Sequence, residues 1–139
     1  MTLEKLSSFL DVILAGDNQA PSGEALIAAL EMAYIEIANK TNALKLLTED
    51  PDLSIIRKGP GRTFVRIPKL PKDPTDELDI DSELVPAVAR YIASYISKDK
   101  AGIHLGIANN IIIDYNAKVE AYVAYIQEQA EDDGVVEHA

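Results

Sequence analysis

The alternation of apolar and polar positions is most regular between residues 82 and 129, where it predicts two consecutive helices. In the second helix, apolar residues recur every three or four positions, at Leu105, Ala108, Ile112, Tyr115, Val119, Tyr122 and Ile126. A similar stripe precedes it, at Leu84, Val88, Tyr91 or Ile92, and Tyr95. Residues at this spacing share one face of a helix. We therefore predict an antiparallel pair whose two stripes bury each other.

Two residues set the expected limits of this pair. Pro86 has no N–H group and is tolerated only in a first helical turn, so the earlier helix should begin between Ser82 and Pro86. Gly102 follows a polar run and can adopt the left-handed conformation that ends many helices. The predicted helices span residues 84–98 and 103–129.

Two earlier segments show the same periodicity. Residues 2–14 place Leu3, Leu6, Leu10 and Ile13 on one face. Residues 23–45 follow Ser22, a good N-cap, and carry a stripe at Leu26, Leu30, Ala33, Ile37, Thr41 and Leu44. Both segments are predicted to be helices, and Pro51 prevents the second from continuing.

The segment 53–67 has a different pattern, with two short β-prone runs on either side of Gly59, Pro60 and Gly61. This arrangement predicts a β-hairpin. In its second strand Thr63, Val65 and Ile67 would face the helices, and Arg62, Phe64 and Arg66 would face outward.

Together these elements predict a mainly α protein, a bundle of about four helices with one β-hairpin insertion. A single domain would span residues 1–129, with an extended acidic linker at 68–82 that contains three prolines, followed by a flexible acidic tail at 130–139. The predicted core contains Leu30, Ile37, Val88, Ile92, Ile112, Val119 and Ile126.

Composition changes this picture mainly by what it excludes. The chain has 139 residues, enough for one domain, and it has no cysteine, which excludes disulfides, zinc–thiolate sites and thiol nucleophiles. Neither a signal-peptide pattern nor a run of about 18 apolar residues is present. We therefore expect no export by a signal peptide and no membrane partner, in an intracellular or assembly setting.

Charge is strongly segregated along the chain. The net charge is −10, yet residues 53–72 contain six basic residues and no acid, so the remainder carries seven bases against 23 acids, a net of −16. A solvated surface usually mixes the two signs. The basic hairpin on an acidic body is therefore a candidate interaction surface.

Candidate chemistry is sparse. Asp79, Asp81 and Glu83 alternate like the opening of a calcium loop but lack its glycine turn, so capping of the next helix is favoured. The two histidines, His104 and His138, give no metal-ligand spacing. We predict no catalytic residue, no metal ligand and no cofactor, and hence no enzyme.

Tyrosines near the end of the last predicted helix allow two interpretations. Tyr115, Tyr122 and Tyr125 could form a stacking platform. Alternatively they lie at the edge of the core, with the ring buried and the hydroxyl in water, which is the more common arrangement.

Four segments together resemble small virion proteins of tailed bacteriophages. They are residues 62–71 (RTFVRIPKLP), 76–84 (DELDIDSEL), 87–100 (AVARYIASYISKDK) and 111–116 (IIIDYN). The chain is similar to the head-to-tail connector, or adaptor, family. The resemblance implies a helical bundle with a protruding loop or hairpin, no catalytic residue, and a ring, commonly of twelve copies. That ring would lie between the portal protein and a tail or neck component in the virion, be assembled in the host cytoplasm, and let DNA pass without specific binding.

The charge segregation suggests how such copies join. We expect Arg57, Lys58, Arg62, Phe64, Arg66 and Lys69 to dock on acids of an adjacent copy or of the portal, with Phe64 as the apolar anchor. In one alternative the hairpin folds back on its own acidic segment, residues 73–83. In another, the chain is a small cytosolic nucleic-acid-binding accessory protein that uses the basic hairpin, whose binding would fall steeply with salt.

Overall fold

The computed structural model describes residues 1–15 and 18–138, with side chains described as far as Tyr122. Its elements are helices α1 (Leu3–Ile13) and α2 (Gly23–Lys40), strands β1 (Leu47–Thr48), β2 (Ile55–Lys58) and β3 (Phe64–Arg66), and helices α3 (Val85–Ile96) and α4 (Ala101–His138). Short 3₁₀ helices occupy Leu44–Leu46 and Ser82–Leu84. These elements confirm the predicted mainly α class with a hairpin insertion.

Helix α3 lies at the centre of the molecule. Pro86 occupies its first turn, as predicted, and most of its side chains are buried: Val85, Ala87, Val88, Ala89, Tyr91, Ile92 and Ala93. It contacts α4, α2 and α1. The facing side of α4 buries His104, Ala108, Ile112, Tyr115 and Val119. The middle of each predicted stripe therefore forms the main helix–helix contact. The prediction was wrong at the ends of the stripes, where Tyr95, Leu105 and Tyr122 are 38%, 40% and 52% exposed.

The turn between α3 and α4 differs from the prediction. Gly102 does not end a helix: it lies in the first turn of α4, and the positive-φ glycines in the described residues are Gly23 and Gly61. Instead, α3 ends where Ser97 turns extended, at φ −64° and ψ 130°. The Ser97 hydroxyl then accepts a hydrogen bond of 2.9 Å from the amide of Lys100. A side-chain acceptor at the turn thus replaces the glycine that we expected.

Helix α2 ends at Lys40, before the predicted limit at residue 45. Thr41 is extended, and its hydroxyl donates to the carbonyl of Ile37 at 2.8 Å. A β-branched residue that bonds back to the preceding turn competes with helix continuation. The prediction of one helix over 23–45 was therefore wrong at its C-terminal end, and Leu44 is 44% exposed while Leu46 is buried.

The hairpin is part of a three-stranded antiparallel sheet in the order β1–β3–β2. The β2–β3 hairpin confirms the prediction over 53–67, whereas β1 was missed because it has only two residues. At the turn, Gly61 has φ +60°, and a Cβ on Gly59 would lie 2.7 Å from the Thr63 hydroxyl. Glycine is thus required at both positions for different reasons.

The segment 68–82 is not a free connector. Leu78 and Ile80 are 2% and 3% exposed, and both belong to the hydrophobic core. Backbone hydrogen bonds also tie this segment to the start of the chain, from Leu78 N to Met1 O at 2.9 Å and from Leu3 N to Asp76 O at 3.1 Å. The alternation of Leu78 and Ile80 with acids was the signal for this half-buried strip.

The predicted core is confirmed where side chains are described. Leu30, Ile37, Val88, Ile92, Ile112 and Val119 are all at most 5% exposed. The side chain of Ile126 lies outside the described residues. Helix α4 continues to His138, past the predicted end at 129. The backbone of the predicted tail is therefore helical as far as His138.

Candidate interaction surface on the hairpin

The register of the hairpin decides which basic side chains are available. In β2 and β3, Arg57 pairs with Val65 and Lys58 with Phe64. Cross-strand partners share a face of the sheet, and neighbours along a strand alternate between faces. Because Val65 is fully buried, Arg57 points into the body, and Lys58 and Phe64 point away from it. The six predicted interface residues thus divide into two groups.

Arg57 binds the C-terminal end of α2. Its Nε donates to the carbonyl of Ala38 at 3.0 Å, and its Nη2 donates to the carbonyl of Thr41 and to Asn42 Oδ1, the latter at 2.9 Å. The last carbonyls of a helix lack hydrogen-bond donors within the helix, and this guanidinium provides the missing donors. Burial lowers the pKa of Arg57. Its role in the structure is to join the hairpin to α2.

Arg66 lies on the opposite face of the hairpin and also contacts its own chain. Its guanidinium binds both carboxylate oxygens of Asp79, with Nη2 at 2.9 Å from Oδ1, and Nη2 also donates to Lys45 O at 3.0 Å. The two side chains are only 16% and 19% exposed. This is the contact that the fold-back alternative predicts.

The environment of Asp79 favours its charged form. Burial raises the pKa of the Asp79 carboxyl, but hydrogen bonds from Arg66 and from the Lys69 amide outweigh that effect and lower it overall. The hydrogen bond between Arg66 and Asp79 also raises the pKa of Arg66, because it outweighs the effect of burial, which lowers that pKa. The pair is therefore ionised over the usual pH range and fixes β3 to the segment that follows it.

The remaining predicted interface residues stay at the surface. Lys58, Arg62 and Lys69 are exposed, and Phe64 is half-buried. The Lys58 ammonium lies 5.0 Å from the centroid of the Phe64 ring, within the range of a cation–π contact. We define the hairpin tip as residues 58–62. Its docking on another surface stays a prediction, now carried by Lys58, Arg62, Phe64 and Lys69.

The three alternating acids have three separate partners. Asp79 binds Arg66, and Glu83 lies 3.4 Å from the Lys118 ammonium. Asp81 accepts from the amides of Leu44 and Lys45, at 3.0 and 2.8 Å, and from the Tyr115 hydroxyl. Asp81 thus caps the turn at Leu44–Leu46, not the next helix as we expected. Among residues whose side chains are described, no group of three or more His, Asp or Glu could hold a metal.

The tyrosines also divide. Tyr115 is 5% exposed, and burial, with its hydrogen bond to Asp81, raises its pKa. The buried ring agrees with the core-edge interpretation, whereas the hydroxyl, expected in water, donates to Asp81 and accepts from the Leu44 amide. Tyr122 is 52% exposed, and the side chain of Tyr125 lies outside the described residues.

Sequence reasoning missed two features. His104 is buried and its Nδ1 lies 3.1 Å from an Arg90 guanidinium nitrogen, so Nδ1 is the acceptor. The second is a groove between α1 and α2, which no local pattern signals because it depends on how two helices meet.

Comparison with known proteins adds no assignment for these features. No family model, curated protein or solved structure matches the chain. The resemblance to phage adaptors therefore rests on the sequence segments given above and stays a hypothesis. In the described part of the chain, no helix has the length and apolar character needed to cross a bilayer.

Proposed function

We propose that this chain is a structural protein of a tailed-phage virion, a head-to-tail adaptor that forms a ring between the portal and the tail and through which DNA passes. The proposal combines the sequence resemblance with one structural observation. A basic tip lies at the surface on a hairpin whose stem is fixed from both faces, by Arg57 to α2 and by Arg66 to Asp79. A rigidly presented tip suits docking between subunits.

The distribution of charge supports an assembly role. The tip carries Lys58 and Arg62, and the chain outside residues 53–72 has a net charge of −16. Opposite charges on two surfaces of one chain orient neighbouring copies and discourage wrong pairings. An acidic body would also repel phosphate, which suits a channel that DNA must traverse without binding.

Nucleic-acid binding by the hairpin has less support. Two of its basic side chains, Arg57 and Arg66, are held by acceptors in the same chain. Fewer charges then remain for phosphate contacts, and each lost contact reduces both affinity and its salt dependence. We expect no binding to duplex DNA at 150 mM salt that exceeds the weak affinity of a nonspecific protein.

The proposal is tested with the portal protein of the same phage genome. We expect the gene to lie beside portal or terminase genes, and the chain to be present in purified virions. When it is co-expressed with that portal, the two should sediment together as one particle. Virions that lack the chain, or a portal that sediments without it, would contradict the adaptor assignment.

A matched variant shows whether the hairpin tip takes part. Arg62→Glu reverses a charge on the exposed tip without touching the stem, so the fold should be retained. Arg66→Glu would be a poor choice, because it destroys the ion pair with Asp79 and confounds docking with folding. If Arg62→Glu chains still co-sediment with the portal as the wild type does, the tip is not the portal contact.

A further inference from the structure

A groove of about 740 Å³ lies between α1, the N-terminal half of α2 and residues 72–74. Its floor is mostly apolar, with Leu3, Leu26, Ile27, Ala28 and Pro74, and it also includes Ser7, Ser8 and Ser22. Its rim carries three acids and one base, Glu4, Glu24, Glu31 and Lys72. The groove therefore offers an apolar floor within a predominantly negative rim, which suits a narrow apolar segment flanked by cations.

The groove continues into an exposed apolar strip on α2. Ala28 lines the groove, and Met32 and Ile35 follow at the next positions on the same face, at 54% and 40% exposure. Residues four and seven positions apart lie on one side of a helix. Large apolar side chains exposed in a row beside a groove are typical of an interaction surface.

Within one chain, the hairpin tip does not reach the groove, because the two lie at opposite ends of α2. Arg57 fixes the hairpin at the C-terminal end of this helix, through the carbonyls of Ala38 and Thr41. The groove lies along residues 23–31, at the other end. Between Ile27 and Ala38 the helix rises about 16 Å. A rigid helix thus holds two complementary surfaces apart.

We propose that the groove receives the hairpin tip of a second copy of this chain. Pro60, at the centre of the tip, would enter the apolar floor, and Lys58 and Arg62 would reach the rim acids Glu24 and Glu31. No acid lies between residues 53 and 72 to oppose this approach. The contact is head-to-tail, so a joined pair keeps one free groove on one copy and one free tip on the other.

This inference rests on the proposed function in one respect: the tip–groove contact would join the subunits of the proposed ring. The contact itself involves residues of this chain alone. Copies joined in this way can continue to add until a ring closes, and opposite charges at the contact make the affinity fall with salt.

The test uses two charge-reversed chains. The tip variant carries Lys58→Glu and Arg62→Glu, and the groove variant carries Glu24→Lys and Glu31→Lys. All four residues are exposed, so each variant should retain the helical circular-dichroism spectrum and the melting temperature of the wild type to within a few degrees. Sedimentation velocity then gives the mass of each chain alone and of an equimolar mixture.

We expect the wild-type chain to assemble, and each variant alone to lose at least about tenfold in self-affinity and to sediment as a 15.1 kDa monomer. The mixture should assemble again as the wild type does, because the unchanged tip of one variant meets the unchanged groove of the other, and the reversed tip meets the reversed groove. A chain with all four reversals should assemble again. Assemblies larger than a dimer distinguish this head-to-tail contact from an isologous one, which closes at two copies.

Three outcomes would overturn the inference: a wild type that stays monomeric at millimolar concentration, a tip variant that assembles normally, or a mixture that stays monomeric. If the tip variant forms dimers and Met32→Glu abolishes them, the copies associate through the apolar strip of α2 and not through the tip. None of these results bears on portal binding. Conversely, normal self-assembly without portal co-sedimentation would refute the adaptor function and leave this contact in place.

Discussion

Replacing Arg57 by alanine should destabilise the protein, although the residue lies in the hairpin that presents the charged tip. The substitution leaves the carbonyls of Ala38 and Thr41 without their guanidinium donor. A hydrogen bond to a charged group contributes roughly 1.5–3 kcal/mol, and a carbonyl that water can reach recovers part of that loss. With several bonds removed at a partly buried site, we expect a loss of about 2–3 kcal/mol.

Arg62→Ala is the matched control, since it removes the same side chain from the same hairpin at an exposed position. Its effect should be within about 0.5 kcal/mol. Urea unfolding followed by circular dichroism at 222 nm measures both, with an unchanged denaturant slope as the sign of two-state behaviour. The reasoning fails if Arg57→Ala unfolds within 0.5 kcal/mol of the wild type, on the order of the control, or if both variants lose equal stability.

Three further predictions concern the core and its edge. The pKa of Asp79 is lowered in the folded state, so its contribution to the free energy of unfolding is present above the unfolded pKa of about 3.9 and is lost as the pH falls. Asp79→Asn should therefore lower the free energy of unfolding at pH 7. In urea titrations the variant should also lose less stability than the wild type between about pH 5 and 2. Tyr115→Phe should cost about 1–2 kcal/mol in thermal unfolding, and Tyr122→Phe less than about 0.5 kcal/mol. Leu78→Ala should lower the free energy of unfolding by about 2–4 kcal/mol, against under about 1 kcal/mol for Leu53→Ala, whose side chain is 41% exposed. Equal losses would show that the segment 68–82 is not part of the core.

Local periodicity predicted those parts of the fold that depend on one helix face. The stripes of α3 and α4 could be read from the sequence because side-chain spacing alone determines them. The chain that follows α2 could not be read in this way, because the turn at Leu44–Leu46 is held by Asp81, which accepts hydrogen bonds from the amides of Leu44 and Lys45 from 36 or 37 positions away along the chain. A short-range pattern carries no information about such a distant acceptor.

The candidate surface shows the same division. Sequence reasoning found every basic residue of the hairpin, and strand alternation correctly placed Val65 inward. It did not separate Arg57 and Arg66 from Arg62, because all three look alike in sequence. What separates them is the position of acceptors on other elements, the carbonyls of α2 and the carboxylate of Asp79. Burial of charge is decided by such tertiary partners.

The two arginines on opposite faces of the hairpin stem have a mechanical consequence. A force applied at Pro60 is not absorbed by bending of a loose loop, since Arg57 transmits it to α2 and Arg66 transmits it to the segment that leads into α3. The hairpin therefore acts as a lever attached to the core at two points. Any contact made at the tip therefore fixes the orientation of the whole body relative to its neighbour. Identical subunits close into a ring only if this angle is the same at every contact.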